Sequence, residues 1–281
     1  MDKPPGITSA RAVARVKRLL PKKTKIGHTG TLDPLASGLL VLLIGRSTRL
    51  ARYVTGLQKT YLATARLGAV SDTLDAEGEI TSLDTPLPPE QAIREALPAF
   101  TGDILQIPPM ASALKREGQR LYDLHRKGII VEREPRRVAV HRFALTAFDP
   151  AEKTASFEIS CSSGTYVRTL IADLAAHAGS AAYLTALRRT TVGHLTVQDA
   201  SSPEKLTPDS VHNHIIQPAG VVGHLPAIAV SGAIRDSVCH GGRMERRGVQ
   251  GSYRVVCGDE LLAVYRDVGG EGRAEVVLCA G

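Results

Sequence analysis

The segment Gly27-His28-Thr29-Gly30-Thr31-Leu32-Asp33-Pro34 concentrates small, polar and turn-forming residues in one short stretch. It is not a phosphate loop, because Thr31 rather than Lys follows Gly30, and it is not a dinucleotide fingerprint, because no G-x-G-x-x-G opens a helix. What remains is a single carboxylate, Asp33, in a constrained turn. An Asp before a Pro commonly serves only as a turn former; the same group can act as a nucleophile. Arg168 can pair with a carboxylate in bidentate fashion and hold it ionised, or it can be a surface arginine. Aromatic residues are scarce, with seven Tyr, four Phe and no Trp. Tyr61 and Tyr166 stand at strand-like positions, where a tyrosine either stacks on an unpaired base or sits half-buried with its hydroxyl bonded. Tyr166 and Arg168 are two residues apart, so an extended backbone would point both the same way.

The elements that must position these groups can be read from periodicity. Ser9 is a plausible helix N-cap, followed by Ala12, Val13, Val16, Leu19 and Leu20 at helical spacing, with Pro21 as the stop. The apolar run Leu39–Ile44 reads as one strand after the 27–34 loop. Residues 60–67 alternate, placing Tyr61, Ala63, Ala65 and Leu67 on one face. Ser71–Gly78 is an acidic loop, Pro89–Leu97 a short helix, and 137–148 and 154–161 are strands. Leu170, Ile171, Leu174 and Ala175 define a helix that Gly179 closes. Residues 199–224 are turn-rich, and 226–281 reads as short strands, with Gly258-Asp259-Glu260 marking a hairpin.

Charge narrows the partner. Residues 1–50 contain ten Lys or Arg against Asp2 and Asp33, a local balance of +8 within a net +7 for the 281 residues. A concentrated basic segment favours a polyanionic partner through counterion release, or is a solvated face kept for solubility. The longest apolar run has six residues, too few for a membrane span, and no secretory signal opens the chain. Cys161, Cys239, Cys257 and Cys279 include no C-x-x-C pair and read as reduced, buried thiols of a cytoplasmic protein. His212, His214 and His224 lack metal-ligand spacing and read as loop histidines.

Seven ordered segments carry a resemblance. Gly27–Gly38 is similar to the active-site motif of the TruB family of tRNA pseudouridine synthases. Asp2–Ser9, Lys59-Thr60-Tyr61 with Ala65–Gly68, Ser71–Gly78, Pro108–Lys115, Gly164–Thr169 and Ala186–Arg189 resemble further family segments in the family's order. The resemblance covers about residues 1–200. It implies an α/β (α+β) fold with a mixed, largely antiparallel sheet in a catalytic domain, 1–222, and a small PUA-like RNA-binding β domain, 223–281. Two departures stand out. The chain opens two residues before Lys3, where the family carries a short leader strand, so either the true start lies upstream or that strand is trimmed. Ala111 replaces a usual aromatic.

The resemblance also implies roles. Asp33 takes the place of the catalytic aspartate, and Tyr61 is similar to the tyrosine that stacks on the target uracil. Arg168 would pair with Asp33 and keep it ionised despite burial. Tyr166 would support the site, and Asp75, which matches an aspartate near the arginine, would join the substrate-binding residues. His28 matches a histidine beside the flipped base, and Leu187 an apolar residue lining the pocket. Lys3, Arg15, Lys22, Lys23 and Lys25 would contact the RNA backbone. The implied reaction converts uridine 55 in the T-arm of tRNA to pseudouridine, in the cytoplasm, by a monomer, with no cofactor or metal. A tRNA-binding or tRNA-folding protein without catalysis is the alternative from another class. A carboxylate glycosidase would need a second acid near Asp33.

Overall fold

The structure, a computed structural model, describes residues 1–84, 86–112, 114–116 and 118–279. Ala113 of the Pro108–Lys115 segment and the last two residues of 223–281 lie outside the described residues.

Alternation builds the centre of the molecule. Along Lys59–Leu67 the side chains of Tyr61, Ala63, Ala65 and Leu67 are buried while Leu62 faces outward. This strand pairs antiparallel with Thr154–Cys161 on one side and Ala182–Val192 on the other. Arg136–Asp149 and Gly102–Gln106 extend the sheet to one edge. Ser37–Leu39, parallel to Ala182–Val192, and then Asp2–Lys3 complete the other. Helices Glu90–Ala96 and Val167–His177 lie over one face, where Ile93, Leu170, Ile171 and Leu174 join Ala63, Ala65, Phe157 and Ile159 in a continuous core. The fold is mixed α/β around a largely antiparallel sheet.

Three local expectations are corrected. Leu39–Ile44 is not one strand: Ser37–Leu39 belongs to the central sheet, whereas Leu42–Ile44 pairs with Ile26–His28. Leu40 and Val41 between them are buried, and an apolar run without alternation gives no sign of such a break. The cap of the first helix, Ser9–Lys17, is Thr8, whose hydroxyl accepts from the Arg11 N–H. Ser9 is instead buried and bonded elsewhere. Tyr166 is extended, but the helix begins at Val167, so Arg168 projects from a first helical turn rather than from a strand.

Residues 226–279 form a five-stranded sheet in the order Ala227–Ala229, Ser252–Cys257, Glu260–Val268, Glu271–Val277, Met244–Glu245. The hairpin at 258–260 is present; the helix Gly232–Cys239 was not legible as one. The reading of four reduced thiols is corrected. Cys239, at the end of that helix, is disulfide-bonded to Cys279, their Cα atoms 5.5 Å apart; Cys161 and Cys257 are free. The pairing spans 40 residues of sequence and is made by the fold, so no local spacing announces it. This sheet does not stand apart from the first. Leu261, Val264, Val276 and Leu278 share an apolar cluster with Leu39, Leu43, Leu50, Val54 and Val192. Arg46 and Arg49 donate to the carbonyls of Leu278 and Val277 across the same contact. Among the described residues no helix is long and apolar enough to cross a membrane.

Candidate active site

The loop bearing Asp33 is fixed on both sides. The Ser9 hydroxyl bonds both the N–H and the carbonyl of Leu32, at 2.8 and 2.9 Å, from within the first helix. Pro34 accepts from the Gly6 N–H, and Asp33 accepts from the Ala36 N–H. Gly38 follows at φ +101°, and a Cβ there would stand 2.2 Å from the Arg189 carbonyl oxygen. Only glycine permits that approach of the loop to the sheet.

Opposite the loop, Gln106 clamps the residue before the helix. Its side chain donates to the Tyr166 carbonyl and accepts from the Tyr166 N–H. The next turn carries Arg168, 4% exposed. Its Nε lies 3.0 Å from Asp33 Oδ2 and its Nη1 3.2 Å from Asp75 Oδ2. The same guanidinium donates to the carbonyls of Thr73 and Ala111, each at 2.7 Å. Position 111 therefore contributes its backbone, which Ala supplies as well as an aromatic residue would. Asp75 is locked in turn by the Thr73 hydroxyl and the Glu77 N–H.

Burial raises the Asp33 carboxyl above the ordinary value; Arg168 opposes this, and the nearby Asp75 carboxylate adds to it. One arginine divided between two carboxylates does not offset the loss of water. The Asp33 side chain nevertheless keeps 36% of its surface. It opens into a cleft of about 320 Å³, at the lower end of the range for small-molecule sites.

Tyr61, Tyr166, Leu187 and Arg168 line this cleft with Asp33. His28 precedes the first lining residue, Thr29, and its Nδ1 is buried without a partner among the described residues; burial and Arg189 push its imidazole below the ordinary value. Asp75 does not line the cleft. It stands behind Arg168 as a support, which corrects its placement among substrate contacts. Lys3 is also corrected. Its side chain is fully buried, with Nζ donating to the carbonyls of Pro4, Ile7 and Pro34, so it holds the Asp33 loop from beneath and cannot reach an RNA backbone. Arg15 is paired with Glu204, while Lys22, Lys23 and Lys25 are exposed.

Two charged lining residues had no role in the sequence analysis. Lys59 and Arg189 reach the cleft beside Tyr61 and Leu187. Each is two residues along its strand from one of those assigned residues, so the strand period that placed Tyr61 inward places Lys59 inward too.

The site thus joins a carboxylate gripped by a buried arginine to a cleft with aromatic and apolar walls. The model of the TruB family pseudouridylate synthase N-terminal domain matches residues 17–167. A tRNA pseudouridine synthase B of Azoarcus sp. (strain BH72) is 40% identical over 268 residues, covering 94% of this chain and 88% of that protein. One of Symbiobacterium thermophilum is 43% identical over 241 residues, covering 85% and 80%. The chain belongs to the TruB family of pseudouridylate synthases. Its fold is similar to a solved chain in a Cbf5-Nop10-Gar1 complex, with a TM-score of 0.72 at 24% identity, covering 99% of this chain and 82% of that one.

Proposed function

We propose that this chain isomerises uridine 55 in the T-arm of tRNA to pseudouridine, with Asp33 as the nucleophile. The observation that carries the proposal is the Asp33 carboxylate, 3.0 Å from the Arg168 guanidinium, at the wall of a cleft lined by Tyr61 and Leu187. The names of the relatives, tRNA pseudouridine synthase B, support the RNA class. The N1–C1′ bond breaks, the uracil turns, and C5 joins C1′ with loss of its proton. Nothing is oxidised and no group is lost, so the balance requires no cofactor. Asp33 attacks C1′ while the flipped base stacks on Tyr61, and Tyr166 and Leu187 complete the pocket. His28 packs beside the emptied position.

The exposed Lys22, Lys23 and Lys25 contact phosphates, which position the RNA without reading its sequence. We place the catalytic domain at 1–222 and a PUA-like RNA-binding domain at 223–281, in a monomer acting in the cytoplasm. Affinity for tRNA should fall steeply between 50 and 200 mM salt. Filter binding across that range checks it, and a flat dependence would remove the phosphate contacts.

The direct test is tritium release from C5-labelled uridine in an unmodified tRNA transcript. Release is expected from the natural sequence and none from a transcript with cytidine at position 55. Unchanged release from the cytidine transcript would reject the assigned uridine. Stacking is tested at Tyr61. Tyr61→Phe keeps the ring face and should bind target RNA like the parent chain, whereas Tyr61→Leu should lose about 1–3 kcal/mol of base contact. Equal turnover by Tyr61→Leu and the parent chain would discard the stacking role.

A further inference from the structure

Among the described residues, Lys59 and Arg189 are buried cations with no carboxylate partner. Lys59 is 6% exposed and Arg189 2%. Neither takes part in an ion pair among the described residues. Their partners are neutral: Lys59 Nζ donates to the carbonyls of Thr55 and Leu57, and Arg189 donates to those of Leu39 and Gly30 and hydrogen-bonds the Tyr61 hydroxyl. Carbonyl oxygens satisfy hydrogen bonds but carry no net charge. Buried charges ordinarily have a counter-charge or are driven neutral. The two cations are also close to each other, because a Cβ placed on Gly30 would lie 3.5 Å from Arg189 Nη1 and 3.7 Å from Lys59 Cε. Both line the cleft, and Arg189 is the direct cross-strand partner of Tyr61. A pair of like charges is held together at the floor of a site where, among the described residues, the lining carboxylate is Asp33, engaged by Arg168.

The reaction proposed above, on which this inference rests, creates a negative charge inside the cleft. When the N1–C1′ bond breaks, its electron pair leaves with the ring as uracilate, spread over N1, O2 and O4. The pair returns to carbon only when C5 bonds C1′ and the C1′–carboxylate bond breaks. We propose that Lys59 and Arg189 form a cationic floor that stabilises the departing uracilate, making them electrostatic catalytic groups distinct from the Asp33–Arg168 pair. A backbone phosphate is the other anion in reach of an RNA enzyme. Depth favours the base. A phosphodiester stays with its chain and its water at the mouth, whereas these side chains are almost wholly buried beside the ring of Tyr61, itself 7% exposed.

Lys59→Gln tests this, because the amide can still donate toward the Thr55 and Leu57 carbonyls while lacking the charge. In the full chain its single-turnover rate at saturating tRNA should fall about 10²-fold, the usual cost of losing one preorganised group aimed at developing charge. The Kd for tRNA should stay within about threefold, because phosphate contacts carry the affinity. Lys59→Arg, which keeps the charge, should recover most of the rate. A tRNA carrying 5-fluorouridine at the target position offers a better leaving group. Loss of intact 5-fluorouridine from nuclease digests should show a smaller deficit for Lys59→Gln than tritium release does on uridine. An unchanged single-turnover rate would overturn the proposal. So would a weakened Kd with an unchanged rate, which marks a phosphate contact, or an equal deficit on both substrates, which marks a structural role. In each of those cases the parent chain still releases tritium. Absence of release from the parent chain would instead reject the underlying reaction.

Discussion

Asp33→Asn should abolish tritium release, with a loss on the order of 10⁴-fold or more, the scale seen when a central catalytic group is removed. The substitution is nearly isosteric, and the loop does not depend on the carboxylate charge. Leu32 stays bonded to Ser9, Pro34 to Gly6 and Lys3, and the Asp33 backbone carbonyl to Ala36. Arg168 keeps Asp75 and two carbonyls when Asp33 becomes neutral. Folding should therefore be preserved, and tRNA affinity should remain within a few-fold, because phosphate contacts dominate it. Tritium release under single-turnover conditions, together with filter binding, checks both halves. Release above a hundredth of the parent rate would reject Asp33 as the nucleophile. The same group sets a pH dependence. Burial raises the Asp33 carboxyl, and the nucleophile must be ionised. As pH falls through that raised value the carboxylate takes a proton and kcat/KM declines. The acid limb should therefore lie above the ordinary carboxylate range, and a limb at or below that range would contradict the desolvated environment.

How much of this was legible in the sequence depends on the distance over which each feature is specified. The Lys59–Leu67 strand was readable because one face is buried and one is not, so Tyr61 and its period-two neighbours announce themselves. The break between Leu39 and Leu42 was not, because both halves are apolar and only their partners differ. Arg168 was found by its motif but given the wrong backbone, since the Gln106 clamp that ends the extended segment at Tyr166 lies 60 residues away. Lys3 was counted with the basic surface because charge summed along a chain does not distinguish a solvated lysine from one enclosed by three carbonyls. Asp75 was placed near the arginine correctly, but its position behind rather than in front of the guanidinium needs three dimensions. The Cys239–Cys279 bond is long-range in the same way.

Arg168→Met should be the most damaging single change to the site as a structure. The guanidinium joins the 71–78 loop through Asp75 and Thr73, the 111 backbone, and Asp33 in the catalytic loop, all from one helical turn. Removing it leaves Asp75, 3% exposed, as a buried carboxylate without its cation, along with two carbonyls short of a donor. Breaking a buried pair in this way costs about 3–5 kcal/mol, and for a chain of this size that lowers Tm by roughly 10 °C. Arg168→Lys keeps the charge but cannot serve four acceptors from a planar fork, so it should recover stability better than activity. Both variants should be nearly inactive, because Asp33 loses the group that orients it. The decisive measurement is a double-mutant cycle with Asp33→Asn. If Arg168 acts on catalysis through Asp33, the activity losses of the two single variants will not add, and the double variant will be no slower than Asp33→Asn alone. The stability losses should partly survive in the double variant, because Asp75 remains uncompensated there. Strict additivity of the activity losses would instead mean that Arg168 touches the substrate independently of the carboxylate it holds.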